Sequence, residues 1–276
     1  MDSKGKILTE NIYQIEKNSA GLQILQADDE KMLLFGVSSQ EVTTNFGIFI
    51  LTVQHDGQVL SGKKICGQSI GLSTVHVMRT SDGGVVMTGQ TERSENNTSP
   101  NIYAIKLNKD LSLQWAKLYE NMAYKQPSEI IESTNGDYLI VARINGNGEN
   151  TPEVDGLILA VNKNGVLKTS YSVGGSKYDT ISSFLKREQN ELLLVGTTVS
   201  SGRGPCDAWI LRDKTDNYFQ VTSNPVPLFT KDLILQTMPL NTVQHDTKGY
   251  LISLPVGNVE HSEKSNEKEQ TINKDL

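Results

Sequence analysis

The feature that most constrains this chain is a long internal repeat. "DDEKMLLFG" ends at Gly36, "SDGGVVMTG" at Gly89, "TNGDYLIVA" at Ala142, "EQNELLLVG" at Gly196 and "TKGYLISL" at Leu254, so the ends recur at intervals of 53, 53, 54 and 58 residues. Each stretch is a polar turn running into a short apolar strand, the pattern of a strand leaving a hairpin. The apolar residues are consecutive, which predicts strands covered on both faces. In the second copy Asp82-Gly83-Gly84 forms the turn, with glycine supplying the positive φ that such turns require.

Three further series keep step with the first. First strands precede each turn: "LQILQ", "TVHVM", "SEIIE", "ISSFL" and "NTVQH". Third strands follow as "GIFILTV" from Gly47, "NIYAIKL" from Asn101, "DGLILAV" from Asp155 and "DAWILRD" from Asp207. A turn plus fourth strand comes next, as "HDGQVL", "NKDLSLQWAKLY", "NKNGVLKTSY" and "DKTDNYFQV". Four strands per repeat, joined by short loops and free of helical periodicity, make one blade of an all-β β-propeller. The expected boundaries are blade 1 over 14–67, blade 2 over 68–121, blade 3 over 122–175 and blade 4 over 176–222.

The ends of the chain suggest a fifth blade. "KGKILTENIY" matches a turn and fourth strand, so 1–13 supply the last strand of a blade whose remainder lies in 223–260. Pairing the N-terminal strand with the C-terminal blade closes a five-bladed ring within a single domain, 1–260; the alternative is an open fragment of a larger propeller. Blade 5 lacks an evident third strand, and "VPLFTKDLILQT", Val226 to Thr237, is the stretch available for that gap. The polar segment 261–276 is expected to be a disordered tail.

The chain of 276 residues is 37% hydrophobic, carries a net charge of -6 and has no apolar run long enough to span a membrane. Its acidity argues against nucleic acid as a partner. No signal peptide is expected in the N-terminal residues. Cys66 and Cys206 are too few for a disulfide framework or a thiolate zinc site, and they fall in blades that are not neighbours.

The stretch "SVGGSKYDTISSFLKREQNELLLVGTTVSSGRGPCDAWILRDK" resembles the bacterial β-propeller repeat of secreted and surface proteins. That pattern has a Gly-Gly-Ser, an Asp, a Gly-rich hairpin, "VTGxTxS", then "DAxxxK" and an Asn-Gly turn. Blade 2 shares it through "SDGGVVMTGQT", "NIYAIKL" and "LQWAKLYEN". The resemblance covers roughly residues 14–221, with Asn101 in place of Asp and a poor fit after Phe219. It implies a propeller fold and an extracytoplasmic location, secreted or at the cell surface.

Chemistry is sparse. No nucleophile elbow, zinc-protease motif or phosphate loop is present, and the four histidines lack metal spacing. The reading is therefore a non-enzymatic, monomeric binding or scaffold module for a glycan, peptide or protein, with no cofactor, metal or catalytic residue. The alternative is a propeller glycosidase or lyase with its site at the central channel, using Asp155, Asp207 or His76. Ligand-facing loops are expected at one end of the strands, where Arg93, Asn101, Asn147, Asp155, Tyr178, Asp179, Arg203 and Asp207 fall. Recurrence of Asn101, Asp155 and Asp207 at the start of third strands favours turn caps over a carboxylate pair.

Overall fold

A computed structural model of the chain describes residues 10–27, 30–40, 46–67, 76–92, 99–121, 123–146, 154–186, 191–214, 224–226, 228–240 and 243–246. The expected fourth strand of blade 4, the second strand of blade 5 and the tail 261–276 lie outside them. Among the described residues all twenty regular elements are β-strands, paired antiparallel throughout.

After β1 (Asn11–Gln14) the chain builds four meanders in succession. Sheet 1 is β2 (Asn18–Gln26), β3 (Lys31–Ser39), β4 (Gly47–Gln54) and β5 (Val59–Cys66). Sheet 2 is β6 (His76–Arg79), β7 (Val85–Gln90), β8 (Ile102–Leu107) and β9 (Leu113–Glu120). Sheet 3 is β10 (Tyr124–Glu132), β11 (Tyr138–Asn145), β12 (Val154–Val161) and β13 (Leu167–Val173). Sheet 4 shows β14 (Asp179–Lys186), β15 (Glu191–Thr198) and β16 (Asp207–Lys214). The hairpin glycines Gly57, Gly83, Gly136 and Gly165 all have positive φ, as turns of this kind need.

Burial follows strand position. The middle strands β7 and β8 are buried at every residue, whereas the first and fourth strands of a sheet alternate or are half-exposed. Sheets stack face on face, so middle strands are sandwiched on both sides. Leu33, Phe35, Ile48 and Ile50 of sheet 1 share one core with Met87, Tyr103 and Ile105 of sheet 2. The opposite face of sheet 2, through Val86, Ile102 and Ala104, meets Ile130, Ile140 and Leu157 of sheet 3. Leu139, Val141 and Ile158 on the far side of sheet 3 meet Ile181, Leu194 and Trp209 of sheet 4. Sheets 2 and 3 thus each have a face toward the sheet before and a face toward the sheet after, occupied by the same repeat positions.

Cross-strand pairing explains the small residue that ends each second strand. Gly36 faces Phe49, Gly89 faces Tyr103, Ala142 faces Leu157 and Gly196 faces Trp209. A Cβ at Gly36 would run into the Ala20 carbonyl and the Phe49 ring, and one at Gly196 into the Thr180 carbonyl and the Trp209 indole. Leucine leaves room for the alanine.

Fourth strands reach forward to the turn between third and fourth strands of the next sheet. Trp115 Nε1 and Tyr119 OH of β9 donate to the carbonyls of Lys163 and Gly165 at 2.9 and 2.8 Å. Lys63 Nζ of β5 donates to the Asp110 carbonyl at 3.3 Å. Asn11 Nδ2 and Tyr13 OH of β1 do the same to Asp56 and Gly57, at 3.2 and 2.7 Å. Toward sheet 1, β1 therefore makes the contacts that a fourth strand makes toward the next sheet.

The segment after sheet 4 does something the sequence reading did not anticipate. β17 (Asn224–Pro225), β18 (Phe229–Asp232), β19 (Gln236–Pro239) and β20 (Val243–Asp246) pair with β13, β9, β5 and β1 in turn. "VPLFTKDLILQT" thus adds edge strands to sheets 2 and 1 and buries Val226 beside sheet 3, instead of supplying the third strand of a fifth blade. The physical reason is edge satisfaction: β5, β9 and β13 would otherwise present rows of unpaired backbone groups. The N-terminal strand does pair with a C-terminal one, β1 with β20, but as the last step of this strap along the outer edges.

Candidate functional site

Two polar layers are built by the repeat. The first runs along the inner edges, where β2, β6, β10 and β14 lie side by side. β2, β10 and β14 each carry a register shift, between Gly21 and Gln23, Pro127 and Glu129, and Ile181 and Ser183. A bulge re-aims the residue that follows it; here Gln23 and Glu129 bond with the next inner strand and Ser183 with the one before. Gln23 accepts from the Val77 N–H at 2.8 Å and donates to its carbonyl at 2.6 Å, as a neighbouring strand would. His76 Nδ1 accepts from the Ile130 N–H at 3.3 Å. Glu129 Oε2 accepts from Ser183 Oγ at 2.7 Å and from the Phe184 N–H at 3.1 Å.

Gln23, His76, Glu129 and Ser183 therefore hold one repeat position and form a belt that links consecutive inner edges. His76 Nε2 lies 3.7 Å from Glu129 Oε1. Burial pushes the His76 pKa below its ordinary value, and the Glu129 carboxylate opposes that shift. The neutral ring is the form whose Nδ1 can accept from Ile130.

The second layer lies at the strand ends where the ligand-facing residues were expected. Asp179, at the start of β14, is fully buried and saturated with donors. It accepts from Thr198 Oγ1 and Ser200 Oγ at 2.5 Å each, and from the N–H groups of Gly175 at 2.7 Å and Val199 at 3.2 Å. Burial alone would raise its pKa, but the Ser200 and Thr198 hydroxyls and the amide donors hold it below the ordinary carboxylate value. Asp207 Oδ2 accepts from the Gly204 N–H at 3.0 Å, capping the loop around the positive-φ Gly202. Tyr178 and Arg203 are exposed.

Lys125 holds in sheet 3 the position that Asp179 holds in sheet 4. Its Nζ donates to the Ala123 carbonyl and Asn121 Oδ1 at 2.6 Å each, and to the Asn121 carbonyl at 3.2 Å. Burial lowers its pKa to about 8, against an opposing effect of Glu120. One staple, tying the start of a first strand to the loop before it, is made with either sign of charge.

The structure brings Asp155 and Asp179 to either side of Gly174, since a Cβ there would meet both. Asn101 is buried with its N–H bonded to Thr91 Oγ1 at 2.9 Å, and it faces away from that pair, toward sheet 1. Arg93 and Asn147 lie outside the described residues. Among the described residues no three His, Cys, Asp or Glu side chains gather where a metal could be held. Among the described residues no helix is long and apolar enough to cross a membrane. Cys66 is half-buried and Cys206 exposed, both as free thiols.

Sequence reasoning missed the belt as a set, because its four members are four residue types at one repeat position. It also missed Lys125, whose relation to Asp179 is visible only as "YKQ" against "YDT". A scan of the chain against protein-family models gives no match, and a search of curated proteins gives none.

Proposed function

We propose that the protein is a β-propeller serving as a non-enzymatic binding or scaffold module of the cell envelope or extracellular space, its ligand a glycan, peptide or protein. The location rests on the resemblance of its repeat to that of bacterial secreted and surface propellers. Support for the propeller geometry comes from the stacking order and from what it leaves over. Leu185, Val195 and Ile210, on the far face of sheet 4, are 61, 44 and 73% exposed. Their equivalents on sheet 3, Ile131, Val141 and Ile158, are packed against sheet 4. At the other end, β1 stands as the outer strand of a module ahead of sheet 1. A composite fifth module containing β1 fits both ends and closes the ring.

The observation that carries the binding reading is the commitment of the strand-end and belt groups to the scaffold. A glycosidase needs two carboxyl groups able to exchange protons with substrate. Asp179 is saturated by protein donors, Glu129 holds the next strand, and Asp207 caps its own loop. The variable loops at the same end are then what contacts a partner.

A thermal-shift screen against glycans, peptides and divalent metals tests this, since a ligand of the native state raises the melting temperature. Stabilisation by a glycan or peptide without turnover is the expected result. Turnover of a glycan that is lost in Asp155→Asn or Asp207→Asn would establish the enzyme reading instead.

A further inference from the structure

The strap over 224–246 carries a repeat of its own. Its residues Pro225, Asp232, Pro239 and Asp246 are register partners of Tyr171, Lys117, Lys63 and Asn11. The strap advances seven residues for each sheet, while the sheets step by about 54 in the opposite chain direction. The next residue in each step makes the same bond: the N–H groups of Val226, Leu233 and Leu240 donate to the carbonyls of Ser170, Ala116 and Gly62 at 3.0, 3.1 and 3.1 Å. Those three side chains also enter successive cores. Val226 is buried between sheets 2 and 3, Leu233 packs between sheets 1 and 2, and Leu240 packs on the face of sheet 1 that receives Tyr13. Leu228 and Leu235 repeat the pattern two residues later in the first two of these cores.

The outer edge of each module is thus a groove with a fixed reading frame. It takes an extended chain antiparallel, accepts one N–H at a set carbonyl, and admits an apolar side chain beside it. Charge adds to this at one step, where Lys117 pairs with Asp232, and a hydroxyl at another, where Ser170 Oγ donates to the Val226 carbonyl at 2.5 Å. Most strap side chains between these anchors are exposed: Phe229, Ile234 and Met238 are 71, 85 and 44% accessible. Recognition by main chain and one apolar residue per step is β-augmentation, and nothing in it requires groove and strap to belong to one molecule.

We propose that these outer edges are docking grooves for a strap bearing an apolar residue every seven positions, and that a second copy of this chain is the partner that supplies it. In dilute solution a chain's own strap fills its grooves, because tethering gives it a high effective concentration. At high concentration two chains exchange straps reciprocally, which gives a closed dimer of swapped elements. The inference stands on the strap and the edges alone, whether or not the ring closes.

The test uses full-length chains in a Cys66→Ser/Cys206→Ser background. Lys117→Cys is placed in one and Asp232→Cys in the other, a directly opposed pair flanked by the Leu233–Ala116 bond. Mixing at high concentration under mild oxidation should give a disulfide-linked heterodimer. Its yield should rise with protein concentration and fall when excess synthetic peptide of residues 222–246 is present. A chain carrying both cysteines should cross-link within itself, which verifies the geometry. A second readout uses full-length Leu233→Asp, in which the strap is weakened; the same peptide should raise its melting temperature, and a peptide with Leu233→Asp should not. Internal cross-linking without any heterodimer, or a folded Leu233→Asp chain indifferent to the peptide, overturns the proposal.

Discussion

The indole of Trp209 lies across Gly196, with its Nε1 donating to the Thr180 carbonyl at 2.9 Å. A side chain at 196 would collide with both the ring and that carbonyl. Gly196→Ala should therefore destabilise by about 1–3 kcal/mol, the usual cost of overpacking a filled site. Trp209→Leu, which copies the Leu157–Ala142 pair of sheet 3, should recover part of that loss. Urea melts of both single variants and the double variant measure the coupling, expected at about 1 kcal/mol. Simple additivity would remove the ring as the reason for the glycine.

Burial pushes the Lys125 pKa in the folded chain down to about 8, from the 10.5 ordinary for lysine. The unfolded chain holds the proton more tightly, so the contribution of this residue to stability increases as pH rises from about 8 toward 10.5. Stability of the native protein relative to Lys125→Met should grow over that window, as read from urea midpoints at pH 7 and 9.5. The substitution should also destabilise at pH 7, because the carbonyls of Asn121 and Ala123 lose their donor.

His76 follows the same sign of linkage in a lower pH window. Its folded pKa lies below 6.5, so the unfolded chain takes up a proton first as pH falls. Stability that is present above pH 6.5 is lost on acidification through the folded pKa. Protonation of Nδ1 also removes the acceptor for the Ile130 N–H. His76→Gln, the residue type that sheet 1 uses at the same place, should flatten the stability profile between pH 5 and 7. An unchanged acid slope in that variant would show that His76 does not set it.

Asp179→Ala strands the Thr198 and Ser200 hydroxyls and the Gly175 N–H at once. The expected cost is about 1–3 kcal/mol, chiefly for the buried Thr198 hydroxyl left without its partner, since Gly175 is exposed and Ser200 only half-buried. In the native chain the carboxylate's contribution is present above pH 3.8 and lost as pH falls through its lower folded value. Hydrogen exchange should show the opening confined to the loops around Gly175 and Ser200. Faster exchange throughout sheet 4 would mean that Asp179 supports the whole sheet.

The inner architecture was open to reading because each sheet repeats the same burial. Val86, Leu139 and Leu193 recur at one spacing, and so do the turns that precede them. The interchange of glycine and alanine at Gly89 and Ala142 was visible too, but its cause lies in the residue facing each one, on another strand. The strap was hidden for a different reason. Its period of seven is short, runs for three steps, and is fixed by only one or two apolar residues each time. The belt was hidden because amide, imidazole and carboxylate all accept the equivalent backbone N–H, while the hydroxyl of Ser183 joins by donating to Glu129. Asp179 and Asp207 begin β14 and β16, but their occupation by loop donors depends on loop conformation, which sequence spacing does not determine.

The strap also fixes an order of events during synthesis. A chain emerges from the ribosome N-terminus first, and domains begin folding as they appear. The edges of β5, β9 and β13 exist before any of 224–246 has been made, so each nascent sheet passes through a period with a bare outer strand. Residues 224–246 then cover them in reverse, sheet 3 first, then sheets 2 and 1, and β1 at the end. A ribosome that stalls before residue 224 therefore leaves a protein with its cores assembled and three adhesive edges uncovered.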